Sequence, residues 1–403
     1  MYQRYMRPVV FVFLGLVGLW VGSSLFSYFT YNIVPDVRIE GLEQGGVYKG
    51  TMHGSIHANT GYKIASVSIT IDDKPFEVEG VRSVRAKEFS IPFELDTTEL
   101  SQGRHLLKIE SVDSSYNANR SSEQIEFFVD NVPLKAAFLQ QELRVDQGRT
   151  LHPKFKVNKT VVNAKVKVFS KTYDCYPDTE GSTVYESFIP IDCEQSSDEY
   201  IMSLDVTDKV GNTVTLANAI KINEVSFPKQ KGFYVPPEKL NDEKEISMNN
   251  KILSEALEKW LSNSPKNKLW SGPFEQPTVV RRISTPYGEI RITPEKGRYL
   301  HRAIDIVNTP KSVVWASQNG KVIIKDRYLM TGNTIVLDHG LGVFTKYFHL
   351  DDFADIEVGD LVKKGAPVGR LGMTGYANGY HLHWELTING VPVDPLEWTK
   401  TVF

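Results

Sequence analysis

An uncharged, mostly apolar segment lies near the start of the chain. No charged residue occurs from Val9 to Val34, and Arg4 and Arg7 precede this segment. A helix that spans a bilayer needs about 20 apolar residues, and flanking positive charges favour the cytoplasmic side. The pattern therefore predicts a single-pass anchor in the cytoplasmic (inner) membrane, with everything after Pro35 exported. A cleaved signal peptide is the alternative, but the segment is long for one and lacks a typical cleavage site.

Short alternating runs follow this segment, as far as about Ser226. In 67–71 (VSITI) and 164–169 (AKVKVF), apolar and polar residues alternate, and turn residues separate such runs. Period-two alternation with Val, Ile, Thr and Phe is typical of half-buried strands. This half of the chain is therefore predicted to be β.

The same region contains an internal repeat. Segment 104–117 aligns without gaps on 199–212, about 95 residues later, and both segments end in Asp-x-x-x-Asn. A repeat of this length has the size of one β-sandwich, so we expect two tandem immunoglobulin-like sandwiches. The Asp113/Asn117 and Asp208/Asn212 pairs could bind calcium, but holding a turn is the commoner role for such residues.

The pattern changes again after residue 226. Pro228, Pro236 and Pro237 indicate a connector, and apolar residues at helical spacing up to Leu261 predict a helix with Asn241 as its N-cap. From Leu269 onward the chain is again glycine-rich and β-patterned. The predicted fold is mainly β, and its parts are a cytoplasmic tip and transmembrane anchor (1–35), two β-sandwich domains (36–132 and 133–226), a linker with a helix (227–268) and a C-terminal β domain (269–403).

Composition and charge limit the classes of partner. Hydrophobic residues make up 41% of the chain and charged residues 24%, which is ordinary for a globular protein. The net charge of -3 argues against a nucleic-acid partner. Cys175 and Cys193 are the only two cysteines, and in an exported chain they are expected to form one disulfide, with two free buried thiols as the alternative.

Candidate chemistry concentrates in the last part of the chain, where five of the nine histidines lie between His301 and His383. If YHLHWEL is a strand, His381, His383 and Glu385 point to one face, because side chains alternate. Two imidazoles and a carboxylate on one face are costly unless something binds them. Glu385 could support the histidines from behind or lie exposed at the end of the strand.

Two further segments supply polar groups. His301 and Asp305 are four residues apart, about 13 Å along a straight strand, so a bend between them is needed before both can reach one metal. His349 ends a strand-like run that begins at Gly342. Histidine and aspartate ligands from separate segments, with an open fourth position, are suited to catalytic zinc. His339, in a DHG turn, is expected to be structural.

The order and spacing of these motifs closely resemble the lysostaphin/LytM-type zinc metalloendopeptidases, which cut peptidoglycan peptides. The motifs are H-x-x-x-D at 301–305, Y-x-H-L at 347–350 and H-L-H at 381–383, and the resemblance covers about 269–403, including STPYGEIR (284–291) and GDLVKKGAPVG (359–369). It implies an antiparallel β domain with a groove. It further implies that His301, Asp305 and His383 bind Zn2+ and that His349 and His381 are the catalytic histidines.

Two positions depart from the family pattern. The family usually has glycine where this chain has Ala303, and proline is common where Tyr380 stands. Alanine is tolerated at a bend if its φ is negative, so we expect a small shift of the backbone and retention of the metal.

The resemblance implies a membrane-anchored endopeptidase that hydrolyses peptide bonds in peptidoglycan with a zinc-activated water, on the periplasmic or cell-wall side. His349 and His381 would take the water proton and stabilise the oxyanion, in an order that the sequence leaves open. The alternatives are a catalytically inactive peptidoglycan-binding protein that regulates other wall hydrolases, and an adhesin-like protein whose C-terminal domain only targets it to the wall. The N-terminal domains or the 241–261 helix are expected to cover the groove at rest, and a regulatory protein partner remains open.

Overall fold

The computed structural model describes residues 3–81, 85–230, 243–293 and 297–403. Within them the chain forms two compact units, one of residues 1–133 and 209–212 and the other of residues 134–208 and 213–403. The protein is mainly β, as the alternating pattern predicts. The finer division into five parts stays a prediction.

The first unit begins with an apolar helix and continues as two sheets. The stretch Val12–Thr30 has a mean hydropathy of 1.7, so by length and composition it is able to cross a membrane. The elements are α1 (Gln3–Thr30), β1 (Asp36–Glu40), β2 (Val47–Tyr48), β3 (Thr51–Asn59), β4 (Ile64–Ile71), β5 (Lys74–Pro75), β6 (Glu88–Asp96), β7 (Gly103–Asp113) and β8 (Arg120–Val129).

One sheet has the order β1-β3-β6 and the other β2-β8-β7-β4-β5. Side chains from both sheets, among them Ile56, Phe93, Ile109 and Phe127, meet in one core. Alternation produces this arrangement, because every second residue of each strand turns to the core.

The second unit starts with a β module in which the five-stranded sheet of the first module is repeated. Its elements are β9 (Ala136–Phe138), β10 (Leu143–Asp146), β11 (Thr150–Leu151), β12 (Lys154–Val157), β13 (Val161–Val168), β14 (Lys171–Asp174), β15 (Tyr176–Pro177), β16 (Val184–Glu186), β17 (Ile189–Pro190), β18 (Glu199–Asp208) and β19 (Thr213–Asn223).

The five-stranded sheet has the order β10-β19-β18-β13-β14, and β10 runs parallel to β19 as β2 runs parallel to β8. The repeated segments therefore supply β7 and β18 at equivalent positions. The other sheets of the two modules differ, and the immunoglobulin-like assignment stays a prediction.

The two residues of the first Asp-x-x-x-Asn pair have different roles: Asp113 holds a turn, whereas the Asn117 side chain donates to the Tyr31 carbonyl and to Asn32 Oδ1. Oδ1 of Asp113 accepts hydrogen bonds from the backbone N–H groups of Ser115 (3.0 Å) and Asn119 (3.1 Å) and from the Ser115 hydroxyl (2.6 Å). Asp113 therefore has the turn role that is the commoner one for such residues. In the second module Asp208 pairs instead with Lys159 Nζ at 2.6 Å.

The expected disulfide is wrong. Cys175 and Cys193 are both free and buried. Cys175 lies in the core of the second β module, whereas Cys193 packs with Tyr287 and Leu300 in the core of the C-terminal domain. The two thiols belong to different cores, which the sequence spacing does not reveal.

The C-terminal part of the second unit is a helix followed by an antiparallel β domain. Its elements are α2 (Glu243–Ser262), β20 (Arg282–Thr285), β21 (Glu289–Thr293), β22 (Gly297–His301), β23 (Ile304–Val307), β24 (Val313–Trp315), β25 (Gly320–Tyr328), β26 (Gly332–Asp338), β27 (Val343–Phe353), β28 (Leu361–Val362), β29 (Pro367–Leu371), β30 (Leu382–Ile388), β31 (Val391–Val393) and α3 (Pro395–Trp398).

The main sheet has the order β20-β23-β30-β27-β26-β25-β28; in addition, β29 pairs with β27 and with β24, and β31 pairs with β30. A separate hairpin joins β21 to β22. Leu253, Leu257 and Trp260 of α2 pack with Val336 and Phe344 on one face of the main sheet. The predicted N-cap Asn241 and the prolines 236 and 237 lie outside the described residues, and cover of the groove by the helix stays a prediction.

The second β module is attached to the C-terminal domain through buried groups. Phe188 lies 5.6 Å from the ring of Trp270 and 6.0 Å from that of Trp398. Glu186, fully buried, is in contact with the ammonium group of Lys268. Apolar contact and ion pairing thus hold the two parts as one unit.

Candidate metal centre

Three strand segments bring the candidate ligands together. His383 lies on β30, directly opposite Asp305 on β23. His301 is the last residue of β22, and the chain bends at Ala303 before β23 begins at Ile304. The predicted bend is therefore present, and it turns His301 back onto the Asp305 side.

The donor atoms of these three residues converge on one point. Nε2 of His301 is 3.2 Å from Oδ1 of Asp305 and 3.2 Å from Nδ1 of His383, and the last two atoms are 3.0 Å apart. Ligands at zinc distances of about 2.0–2.2 Å in a tetrahedron are separated by about 3.3 Å. The three donors thus fit a tetrahedral metal ion with two nitrogen ligands and one carboxylate, and the fourth position is left for water or substrate.

Ala303 fits the bend without glycine. Its side chain is fully buried, and it is not among the described non-glycine residues with positive φ. Because the backbone avoids the left-handed region, a Cβ costs no strain there. The departure from the family pattern therefore leaves the geometry of His301 and Asp305 intact.

His349 reaches the site through a β-bulge. The register of β27 against β26 shifts between Tyr347 and Leu350, and His349 has φ of 61°. Regular alternation would send His349 to the face of Tyr347, away from His383. The bulge instead lets Phe348 and His349 share the site face, with their rings 5.2 Å and 6.0 Å from that of His383.

Backbone carbonyls fix both remaining histidines. Nδ1 of His349 donates to the Thr374 carbonyl and Nδ1 of His381 to the Gly379 carbonyl, each at 2.8 Å. In a neutral ring this leaves Nε2 with a lone pair that accepts a proton. Nε2 of His381 lies 3.8 Å from Oδ1 of Asp305. The ring centres of His349 and His381 are 4.8 Å apart. The structure therefore places both predicted catalytic histidines beside the three candidate ligands.

The electrostatics of the cluster favour an anionic Asp305 next to a positive charge. Burial would raise the pKa of Asp305, but hydrogen bonds with His301 and His383 hold it well below its usual range. Burial would lower the pKa of His383, but Asp305 and Glu385 raise it to about 9. Burial lowers the pKa of His301, and it lowers that of His349 to about 3. His349 is therefore neutral at pH 7.

Glu385 lies near the ring nitrogen of His383 that faces away from Asp305. It is largely buried, its Oε2 is 3.9 Å from Nε2 of His383, and its Oε1 pairs with Lys346 Nζ at 2.5 Å. Burial would raise the pKa of Glu385, but Lys346 and His383 lower it to about 2. Of the two roles considered for Glu385, the exposed one is therefore wrong.

His339 has the structural role that the turn predicts. It is fully buried, with Nδ1 at 2.7 Å from the Asn319 carbonyl and Nε2 at 2.7 Å from Thr345 Oγ1. Both ring nitrogens are occupied by hydrogen bonds. His339 thus has no free nitrogen for a metal.

Sequence reasoning missed Arg291. Its Nη2 donates to Thr285 Oγ1 at 2.7 Å and lies 3.6 Å from Oδ2 of Asp305, the carboxylate oxygen turned away from the histidines. Arg291 therefore fixes the orientation of the Asp305 carboxylate. It is the last residue of the STPYGEIR segment, which the resemblance included without assigning a role to Arg291.

The loop after β17 also contacts the bend that carries His301. Arg302 donates to Glu194 at 2.7 Å and to Asp192 at 3.3 Å, and Arg298 donates to Glu194 at 2.6 Å. The second β module therefore contributes charged contacts on both sides of His301. No sequence signal links residues 192–194 to a motif a hundred residues later.

Comparison with known proteins identifies the C-terminal domain. Residues 299–395 match Peptidase family M23. The chain is 38% identical over 122 residues to DD-carboxypeptidase/endopeptidase Mpg of Neisseria meningitidis, covering 30% of this chain and 28% of the relative. It is 33% identical over 123 residues to peptidoglycan DD-endopeptidase ShyC of Vibrio cholerae, with 30% and 28% covered. The chain thus spans less than a third of the length of these relatives.

Among solved structures, a putative peptidase M23 from Pseudomonas aeruginosa is 22% identical, with a TM-score of 0.44, and covers 63% of this chain and 94% of its own. The catalytic domain of lysostaphin from Staphylococcus simulans is 27% identical, with a TM-score of 0.24, and covers 36% and 97%. The family match spans the segment that supplies the three candidate ligands and the two candidate catalytic histidines. The C-terminal part of this chain is therefore a peptidase family M23 domain.

Proposed function

We propose that this protein is a membrane-anchored zinc metalloendopeptidase that hydrolyses peptide bonds in peptidoglycan. The observation that carries the proposal is the convergence of His301 Nε2, Asp305 Oδ1 and His383 Nδ1 within 3.0–3.2 Å of one another. Such a set of two histidines and one carboxylate, with a fourth position open, is the ligand set of catalytic zinc. When bound, zinc supplies Lewis acidity and makes water nucleophilic near neutral pH.

The remaining residues handle protons. Nδ1 of His349 and of His381 is held by a backbone carbonyl, so each neutral ring presents an Nε2 lone pair. One ring accepts the proton of the attacking water, and the protonated ring donates to a developing oxyanion or leaving group. Glu385 and Arg291 keep His383 and Asp305 in place from the outer side.

The substrate class is inferred from the relatives and from the anchor. Two matched relatives are named for DD-endopeptidase activity, so DD peptide bonds of peptidoglycan are the first substrate to test. An apolar N-terminal helix that spans the inner membrane would hold the M23 domain on the periplasmic or cell-wall side.

The test is hydrolysis of purified peptidoglycan by the full chain in detergent, loaded with zinc, with the released peptides identified by mass. His349→Ala and His381→Ala should keep bound zinc and lose hydrolysis, because neither residue is a proposed ligand. His53→Ala, which removes an exposed histidine of the first unit, is the matched control and should cut normally.

Released peptides would also identify the bond that is cut. Full hydrolysis by either histidine variant would contradict the assigned role of that residue. Zinc binding without any product would contradict the endopeptidase and favour a peptidoglycan-binding regulator.

A further inference from the structure

Five aromatic rings gather where α1 meets the first β module, and we call them the aromatic junction: Tyr28, Phe29, Tyr31, Tyr62 and Tyr116. The Phe29 and Tyr116 rings are 4.8 Å apart, and those of Tyr31 and Tyr62 4.7 Å, both edge to face. Tyr28 lies 6.1 Å from Tyr62 and 6.2 Å from Tyr116. Rings from the helix thus interleave with rings from two loops, β3–β4 and β7–β8.

Hydrogen bonds fix the same contact. Nδ2 of Asn117 donates to the Tyr31 carbonyl at 2.9 Å and to Asn32 Oδ1 at 2.7 Å, and Nδ2 of Asn119 donates to the Tyr31 carbonyl at 3.2 Å. The Gly61 N–H donates to the Tyr31 hydroxyl at 2.8 Å. Carbonyls at the end of a helix lack partners within the helix. Here the module supplies donors just past that end, so helix and module form one body.

The junction nevertheless remains exposed. Tyr116 is 63% exposed and Phe29 50%, and Ile33 and Val34, which follow Tyr31 and Asn32 in the chain, are 66% and 57% exposed. Large apolar and aromatic side chains at the end of α1, in the segment that follows it and in the β7–β8 loop are therefore exposed. A cluster of exposed large side chains marks an interaction site more often than isolated ones do.

The chemistry of this surface matches a lipid interface. Tyrosine is enriched at the level of the headgroups, because its ring is apolar and its hydroxyl prefers water. The surface is continuous with the apolar stretch Val12–Thr30. Lys63 and Arg120, exposed on or beside the same two loops, offer positive charge to lipid phosphates.

We propose that the aromatic junction is a membrane-binding surface, so that the β3–β4 and β7–β8 loops of the first module lie in the headgroup layer of the bilayer that α1 spans. The inference rests on the proposed anchor and goes beyond it, because a helix alone does not specify where the next module sits. It also favours a retained anchor over a signal peptide. Cleavage would remove Tyr28 and Phe29 and would expose their partners Tyr62 and Tyr116 to water.

The test measures the depth of labelled positions in a bilayer. The full chain is reconstituted in nanodiscs of phosphatidylethanolamine and phosphatidylglycerol, and an environment-sensitive fluorophore is attached to Ser114→Cys, in the β7–β8 loop. This position keeps all five rings. Spin-labelled lipids with the label at the headgroup should quench the fluorophore at least about twofold more than in the matched control Glu99→Cys. Glu99 follows β6 at the opposite end of the module, about 25 Å away along β3.

A second variant tests the rings themselves. Replacing Tyr62 and Tyr116 by serine in the Ser114→Cys protein should reduce the quenching to the level of the Glu99→Cys control. Equal quenching at positions 114 and 99 in the parent protein would overturn the proposal, as would unchanged quenching after both rings are removed.

A third label separates this failure from failure of the anchor. Val21→Cys places the fluorophore within the apolar stretch, where lipids labelled near the bilayer centre should quench it. Strong quenching at position 21 with none at position 114 would reject the membrane-binding surface and leave the anchor standing. Absence of quenching at position 21 would reject the anchor, and the proposed surface with it.

Discussion

Two buried clusters of histidine and carboxylate lie in the second unit, and they differ in what surrounds the carboxylate. In one, Glu186 is 2.7 Å from Nε2 of His152 and in contact with the ammonium group of Lys268. In the other, Asp305 has His301 and His383 at 3.2 and 3.0 Å. Both carboxylates are almost inaccessible to solvent.

The difference lies in how each negative charge is neutralised. The positively charged ammonium group of Lys268 neutralises Glu186 directly. The ring of His152 stacks on that of Phe188, with the ring centres 4.7 Å apart. Around Asp305 the near neighbours on the site side are imidazoles whose nitrogen atoms converge on one oxygen. An ammonium group offers no lone pair, whereas an imidazole that gives up its proton offers one to a metal. Convergence of several imidazole nitrogens on one carboxylate oxygen thus distinguishes the candidate metal centre from a buried ion pair of similar composition.

The largest effect is expected from Asp305→Asn, which removes the one carboxylate among the three proposed ligands with little change in shape. Zinc affinity should fall at least about a thousandfold, or about 4 kcal/mol, more than the 10–100-fold typical of losing an outer partner. Hydrolysis of peptidoglycan should fall below detection. Competition with a chromogenic chelator measures the affinity, and Glu186→Gln is the matched control that should bind zinc normally. Equal loss in both variants would erase the distinction between the clusters.

The next effect concerns stability, through Lys268→Met. This change leaves Glu186 buried without its nearest cation, so the free energy of unfolding should fall by about 3 kcal/mol. Denaturant unfolding of the full chain in detergent measures this free energy. The matched control is Lys266→Met, which removes an exposed lysine two residues away and should change the free energy of unfolding by less than about 1 kcal/mol. Unchanged stability in Lys268→Met would show that the buried pair contributes nothing net.

The same cluster predicts how stability depends on pH. Burial would raise the pKa of Glu186, but His152 and Lys268 lower it to about 2 from the usual 4.5. A depressed pKa gives stability that is present above about pH 4.5 and is lost as the pH falls toward about 2, in total up to about 3 kcal/mol. Burial also lowers the pKa of His152, which acts in the same direction below about pH 6.5.

Unfolding of wild type and Glu186→Gln, measured from pH 6 to pH 2.5, tests this expectation. The Glu186→Gln protein should lose less stability below pH 4.5 than wild type does. Parallel curves for the two proteins would contradict the assigned pKa.

The smallest effect is expected from Glu385→Gln, behind His383. Loss of the carboxylate weakens the basicity of the imidazole, so zinc affinity should fall about tenfold. The matched control is Glu357→Gln, which removes an exposed carboxylate paired with Lys325 in the same domain. Affinity and unfolding are measured together, because a loss of stability without a loss of affinity would assign Glu385 a purely structural role.

Local patterns predicted much of this fold and site. The alternation in YHLHWEL places His381, His383 and Glu385 on one face, and the structure agrees, because alternation follows from the geometry of one strand. The need for a bend between His301 and Asp305 followed from distance alone. The resemblance to a family named the candidate ligands, and the structure brings those same residues together.

Other features depend on contacts between distant segments. Simple alternation would put His349 on the face of Tyr347, and only the bulge against β26 turns it to the site. Two cysteines in a chain expected to be exported suggested a disulfide, but each thiol packs in a different core. Arg291 reaches Asp305 from a separate hairpin, a contact that no local pattern encodes.

The sequence by itself determined the apolar helix, the β character, the internal repeat and the set of polar residues, because these follow from periodicity, length and residue type. Only the tertiary structure decided which side chains meet: the bulge at His349, the guanidinium of Arg291 beside Asp305, and Tyr62 and Tyr116 against the end of α1. The physical reason is that strand register and packing depend on residues far apart in the chain, whereas periodicity depends on neighbours.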